Sequence, residues 1–209
     1  MKKLESSLTN MVLVLTGVAV IMGGILALVN HMTEGPINAQ KAKTLADGIK
    51  TVMCVSDITV SRTDTVKQND AKGKELTYII YQTQDAQGKD LGAAVESTTG
   101  GFGGDLKVLV GFDSEGNILG YTLLEHAETP GLGAKADKWF QKGEKGDIIG
   151  KNPKEPLTVS KDGGQVDAIT ASTITSRAFL LAVNRAYNAY KDIPATDAET
   201  GATKQVKEK

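Results

Sequence analysis

The chain has 209 residues, 40% of them hydrophobic, and its 24 basic and 25 acidic side chains leave a formal net charge of −1. Interspersed charge of this kind excludes a nucleic-acid-binding protein, which would need a basic patch. One cysteine, Cys54, excludes both an intramolecular disulfide and an iron–sulfur cluster ligated by this chain alone, and the two histidines, His31 and His126, are too few and too distant to imply a metal site.

Met11 to Val29 carries no charge and is broken only by Thr16 and a few glycines. As a helix it would be about 28 Å long, close to the hydrocarbon thickness of a bilayer, so residues 11–30 are predicted to span the membrane. Lys2 and Lys3 place the flank of residues 1–10 in the cytoplasm, and the remainder then faces outward. A cleaved signal peptide is the rival reading. Against it, the run is longer than a usual signal core of about 7–15 residues, and Leu28-Val29-Asn30 is a poor cleavage site. Ala19, Gly23 and Ala27 recur every four residues, a stripe that suits a membrane partner or reflects ordinary spanning-helix composition.

Residues 31–190 have the length of one domain, and the polar stretch 191–209 is predicted to be a disordered tail. Thr33-Glu34-Gly35-Pro36 reads as a helix start, with Pro36 in the first turn of a helix running to Lys50. Strands are predicted at 51–60, 76–83 and 91–96, with loops at 61–74 and 84–90. Cys54 falls in the first strand, as an inert buried thiol.

Leu106 to Phe112 and Ile118 to Leu124 are two apolar strands joined by the polar turn Asp113-Ser114-Glu115-Gly116-Asn117, hence a hairpin. A Gly-rich turn, Gly100-Gly101-Phe102-Gly103-Gly104, precedes it, and Glu128-Thr129-Pro130-Gly131-Leu132-Gly133 follows. Residues 134–141 suit a short helix carrying Trp139, and 142–156, rich in Gly, Lys and Pro, reads as an exposed loop. His126 is either a cofactor neighbour or a polar strand-end residue. Strands gathered between helices favour an α+β domain over an alternating parallel sheet.

The last element is a helix. From Ser176 to Tyr190 there is no Gly or Pro, and Phe179, Val183, Ala186, Tyr187 and Tyr190 recur at the spacing of one helical face. Its start, near Thr173 to Thr175, follows the hydroxyl-rich run Asp167-Ala168-Ile169-Thr170-Ala171-Ser172-Thr173-Ile174-Thr175-Ser176. Hydroxyls at a helix N-terminus cap its free N–H groups, bind an anion there, or serve as an esterified oxygen.

These two segments together resemble the FMN-binding domain of the G subunit of the Rnf electron-transport complex and of the C subunit of the sodium-translocating NADH:quinone reductase. The family's flavinylation motif reads Asp, two residues, Ser or Thr, Gly, Ala, Ser or Thr, any residue, Thr. Laid on this chain it begins at Asp167, takes in Thr170 and Thr173, and ends at Thr175, with Ala171 where the family has Gly and Ser172 where it has Ala. The resemblance implies FMN bound covalently, as a phosphoester, to Thr175, with Thr173 and Ser176 as rival attachment sites. It also implies that the backbone of the second hallmark, unbroken here from Glu128 to Gly133, lies against the flavin. Glu128, Thr129, Gly131, Leu132 and Gly133, with Gly103 and Gly104, are thus candidate cofactor-binding residues.

The resemblance further implies a central, mainly antiparallel sheet flanked by helices, a flavin transferase that attaches FMN from FAD with magnesium, and partner subunits in the same membrane complex. That complex couples electron flow between ferredoxin and NAD to translocation of Na⁺ or H⁺. This chain would be its electron relay in the bacterial inner membrane, with the flavin domain on the periplasmic side, rather than a complete enzyme. Two other readings stand: the C subunit of the quinone reductase, and a membrane-anchored assembly protein without flavin.

Overall fold

The computed structural model describes residues 8–69, 73 and 75–192. The tail expected from Lys191 therefore lies, beyond Asp192, outside the described residues, as do Lys2 and Lys3. The chain divides into two compact units, one up to Thr44 and one from Leu45 onward.

The first unit is helical. Helix α1 is Leu8–Met53, and it holds a stretch long and apolar enough to cross a membrane. Its apolar side chains are exposed along that stretch, Leu15 and Val20 among them, as a lipid-facing helix requires. The helix start expected at Thr33 to Pro36 is absent: Pro36 lies inside α1. Instead of capping a new helix, the Thr33 hydroxyl donates back to the carbonyls of Val29 and Asn30. Pro removes one N–H from the ladder, and the flanking turns carry the helix past it.

The second unit opens with the end of α1 and a five-stranded antiparallel sheet in chain order: β1 Ile58–Asn69, β2 Glu75–Asp85, β3 Asp90–Gly100, β4 Asp105–Phe112 and β5 Ile118–His126. The domain is α+β, as the pattern of elements predicts. The β4–β5 hairpin falls where expected, with Asp113 accepting the turn amides of Gly116 and Asn117. β1 does not. Thr51 to Met53 end α1, Cys54 turns the chain with φ 56°, and the strand runs through the polar stretch expected to be a loop. As an edge strand bonded only to β2, it needs no continuous apolar face. Cys54 is consequently exposed, contrary to the expected buried thiol.

Period-two alternation sends side chains of the central strands to two cores. Ala93, Val95, Leu106, Val108, Val110 and Phe112 face helix α3, Thr173–Tyr190, together with its Phe179, Val183 and Ala186. Ala94 and Leu109 face the other way, onto Ile49, Val52 and Met53 at the end of α1. Gly111 and Gly120 make that second contact possible, since a Cβ at either would run into the Val52 carbonyl.

Between β5 and α3 come a 3₁₀ turn at Gly133–Lys135, the short α2 at Ala136–Trp139, and a 3₁₀ turn at Ser160–Asp162. Residues 142–156 are irregular, as expected, yet not simply exposed: Ile148 and Pro153 are buried. Ile148 joins the α3 core, which explains an apolar residue among the lysines and glycines.

Candidate functional site

Thr175 is fixed in place by the residue one turn further along α3. Phe179, wholly buried, stacks on Phe140 at 4.3 Å and meets Tyr121 edge-on at 4.7 Å. Burying one such ring stabilises the fold by about 1.5–3 kcal/mol, and aromatic pairing adds about 0.5–1.5 kcal/mol. The Tyr121 hydroxyl then donates to the Ala136 carbonyl at 2.6 Å and accepts the Phe140 N–H at 3.2 Å, tying α2 to β5. Burial pushes this phenol far above its ordinary range, so it stays neutral. Residues four apart share a helix face, so the clamp on Phe179 also orients Thr175.

The Thr175 side chain is 1% exposed, and its hydroxyl donates to Glu128 Oε2 at 2.8 Å. Glu128 is itself buried. Its other oxygen, Oε1, accepts the backbone N–H groups of Phe102, at 2.7 Å, and Gly103, at 3.3 Å. The carboxylate thus has one oxygen locked by the turn before β4 and the other presented to Thr175. Two glycines make the room: a Cβ at Gly101 would overlap Oε1, and one at Gly133 would overlap Oε2 and sit 2.8 Å from Thr175 Oγ1.

The start of α3 is a tight turn. Ser172 N–H donates to the Ile169 carbonyl at 3.0 Å, and Ala171 between them has φ 61°. That left-handed conformation is the one a glycine adopts freely, so the alanine reproduces the turn at a cost. The Ser172 side chain makes no capping bond. Ser176 is fully engaged, its hydroxyl donating to the Ser172 carbonyl at 3.0 Å and accepting the Ile169 N–H at 2.9 Å. Thr173 is half-buried and receives a hydrogen bond from Lys161 Nζ at 3.2 Å. Lys161 is held near by the bidentate pair of Arg177 with Asp162.

A cavity of about 330 Å³ opens here, lined by Phe102, Glu128, Thr129, Leu132, Gly133 and the run Ala171 to Thr175. Phe102, Leu132 and Ile174 form an apolar wall, while Ser172, Thr173 and Thr175 bring hydroxyls to a helix N-terminus. That combination suits a ligand with an apolar body and an anionic end.

Of the residues singled out in the sequence, Glu128, Thr129, Leu132, Gly133, Ala171, Ser172, Thr173 and Thr175 come together here. Gly103 contributes a backbone N–H to Glu128. Gly104, Gly131, Thr170 and Asp167 lie outside the lining. Asp167 braces the site from behind, its carbonyl accepting Trp139 Nε1 at 2.8 Å and its carboxylate accepting the Ser160 hydroxyl at 3.2 Å. His126 is exposed at the end of β5, where Nδ1 accepts the Glu128 N–H at 3.3 Å. Phe102 and Ile174 are lining residues that the sequence does not single out. The available signal for Phe102 is an aromatic inside a run of glycines, and the side chain proves 69% exposed at the rim.

Residues 101–188, which include the whole lining, match the FMN-binding domain family. The chain is 33% identical over 180 residues to the G subunit of the ion-translocating oxidoreductase complex of Vibrio cholerae, covering 83% of this chain and 86% of that protein. This chain belongs to the family of those G subunits. The corresponding protein from Shewanella oneidensis is 34% identical over 175 residues, 80% of this chain and 82% of the relative. That from Aliivibrio fischeri is 40% identical over 130 residues, about 60% of each chain. The family match lies in the second unit, after the apolar helix. The cavity agrees with it: an anion-favouring helix start beside an apolar wall fits the phosphate and ring of FMN.

Proposed function

We propose that this chain is the membrane-anchored flavin relay of an Rnf-type complex, carrying FMN covalently through a phosphoester to Thr175. The observation that carries the reading is the position of the Thr175 hydroxyl: on the cavity wall, in the first turn of α3, bonded to a buried carboxylate. The rivals are less suited. Ser176 has both its donor and its acceptor engaged and lies outside the lining. Thr173 lines the cavity but is bonded by Lys161, a cation suited to bind the phosphate rather than to activate a hydroxyl.

FMN supplies one- and two-electron redox chemistry, which no side chain here offers. The chain's own residues position it. The N-terminus of α3 and Lys161 would favour the phosphate charge, and Phe102, Leu132 and Ile174 would pack against the ring. A covalent link keeps the flavin from being lost outside the cytoplasm, where free FMN is scarce.

The relatives' names support a place among other subunits of an ion-translocating oxidoreductase, and favour its G subunit over the C subunit of the quinone reductase. Lys2 and Lys3 before the apolar run support a cytoplasmic N-terminus with the flavin domain on the far side of the membrane. Electrons passing between ferredoxin and NAD would transit the flavin, and a separate flavin transferase would load it. The test is co-expression of the full chain with such a transferase, followed by denaturing gel fluorescence. Wild type retains flavin fluorescence in the band, and Thr175→Ala loses it.

A further inference from the structure

We infer that Glu128 is the general base for the esterification of Thr175, so that the acceptor protein brings its own catalytic carboxylate to the flavin transferase. The inference rests on the reading of Thr175 as the attachment site.

A threonine hydroxyl is a poor nucleophile near neutral pH and gains from a base in hydrogen-bond reach. Glu128 Oε2 accepts a hydrogen bond from Thr175 Oγ1 at 2.8 Å. The carboxylate is anchored from behind by the N–H groups of Phe102 and Gly103 on Oε1, so Oε2 has little freedom to turn away. Gly101 and Gly133 keep the space around both oxygens clear. A buried carboxylate needs a donor on each oxygen, and here the donor on Oε2 is the one hydroxyl that must lose a proton. Among the described residues neither rival hydroxyl has a carboxylate partner: Ser176 bonds backbone groups and Thr173 bonds Lys161.

The step balances with a flavin dinucleotide as donor. Thr175 Oγ attacks the phosphorus on the flavin side of the diphosphate, its proton passes to Glu128 Oε2, and the bond from that phosphorus to the bridging oxygen breaks, releasing AMP. No electron changes hands. Protonated Glu128 then carries no charge beside the new phosphodiester, which removes a repulsion that a fixed anion would impose.

The experiment follows the intact mass of the purified full chain with time, in the presence of transferase, FAD and magnesium, for wild type, Glu128→Gln, Glu128→Asp and Thr175→Ala. Glu128→Gln keeps the shape and the contact but cannot take a proton, and is expected to slow attachment by about 10²-fold or more. Glu128→Asp keeps a carboxylate set one methylene back and is expected to fall between Gln and wild type. A merely structural role would give the opposite order, with Gln, which matches Glu in size, retaining more rate than Asp. Attachment to Glu128→Gln at the wild-type rate, or a Gln rate equal to or above the Asp rate, would each overturn the inference and leave Thr175 as the site. No mass gain in wild type, with a transferase active on another acceptor, would instead overturn the reading of Thr175 on which it rests.

Discussion

Trp139 Nε1 donates to the backbone carbonyl of Asp167 at 2.8 Å, joining α2, which follows the loop of Glu128 to Gly133, to the start of the hydroxyl-rich run. The two segments that build the cavity are distant in sequence, and this bond is a direct polar link between their flanks. Gly146 packs beneath it, where a Cβ would meet Trp139, Asp167 and Phe140 together.

Trp139→Phe keeps most of the ring but leaves the Asp167 carbonyl without this donor. A loss of about 0.5–1.5 kcal/mol in unfolding free energy is expected, measured by urea titration of the loaded protein, with the flavin still attached. Unchanged stability would show that solvent replaces the indole at no cost.

Ala171 has φ 61° where an L-residue is disfavoured by about 1–2 kcal/mol. Part of that is recovered in Ala171→Gly, offset by the greater entropy of glycine in the unfolded chain. A net gain of about 0.5 kcal/mol is expected, read as a small rise in melting temperature. Ala171→Val, β-branched at the same φ, is expected to lower it by considerably more.

Gly133→Ala places a methyl group against Glu128 Oε2 and beside Thr175 Oγ1. Gly133 does not have positive φ, so the backbone tolerates alanine and the effect is local. The carboxylate must turn away from Thr175. Flavin attachment is expected to drop at least as far as in Glu128→Gln, with the circular dichroism spectrum unchanged.

Asp113 gives a pH dependence with a definite sign. Burial raises its carboxyl, but the Asn117 amide and the backbone N–H groups of Asn117, Gly116 and Glu115 outweigh that and hold it below its ordinary value of 3.8. A folded value below the unfolded one means that the ionised carboxylate stabilises the turn. The contribution is fully present above about pH 4 and is lost as the pH falls through the lowered folded value. Asp113→Asn should therefore be less stable than wild type at neutral pH, and the gap should close on acidification, as followed by thermal melts between about pH 2 and 7.

Much of this was legible in the sequence because the relevant patterns are local. The β4–β5 hairpin announces itself through two apolar runs and a turn whose Asp113 and Asn117 bond each other. α3 is legible from Phe179, Val183 and Ala186. The polar edge strand β1 was not, because its pairing with β2, not its own side chains, makes it a strand. Pro36 misled for a related reason: the Thr33 hydroxyl bonds backward along a helix already formed. In the site, the hydroxyl run and the loop of Glu128 to Gly133 were legible as separate motifs. The contact between Thr175 and Glu128 was not, because residues 47 apart meet only when α3 folds onto the sheet. Phe102 was hidden likewise, its place on the cavity rim set by the bonds from its turn to Glu128.

The central claim is that Thr175 carries the flavin. Peptide mapping by mass spectrometry of the full chain, after loading by a transferase and proteolysis, tests it most directly. A mass gain equal to FMN less water, localised to Thr175 and absent from Thr175→Ala, is the predicted result. The same gain on Thr173 or Ser176, or none at all with a transferase proven active on another acceptor, would contradict it.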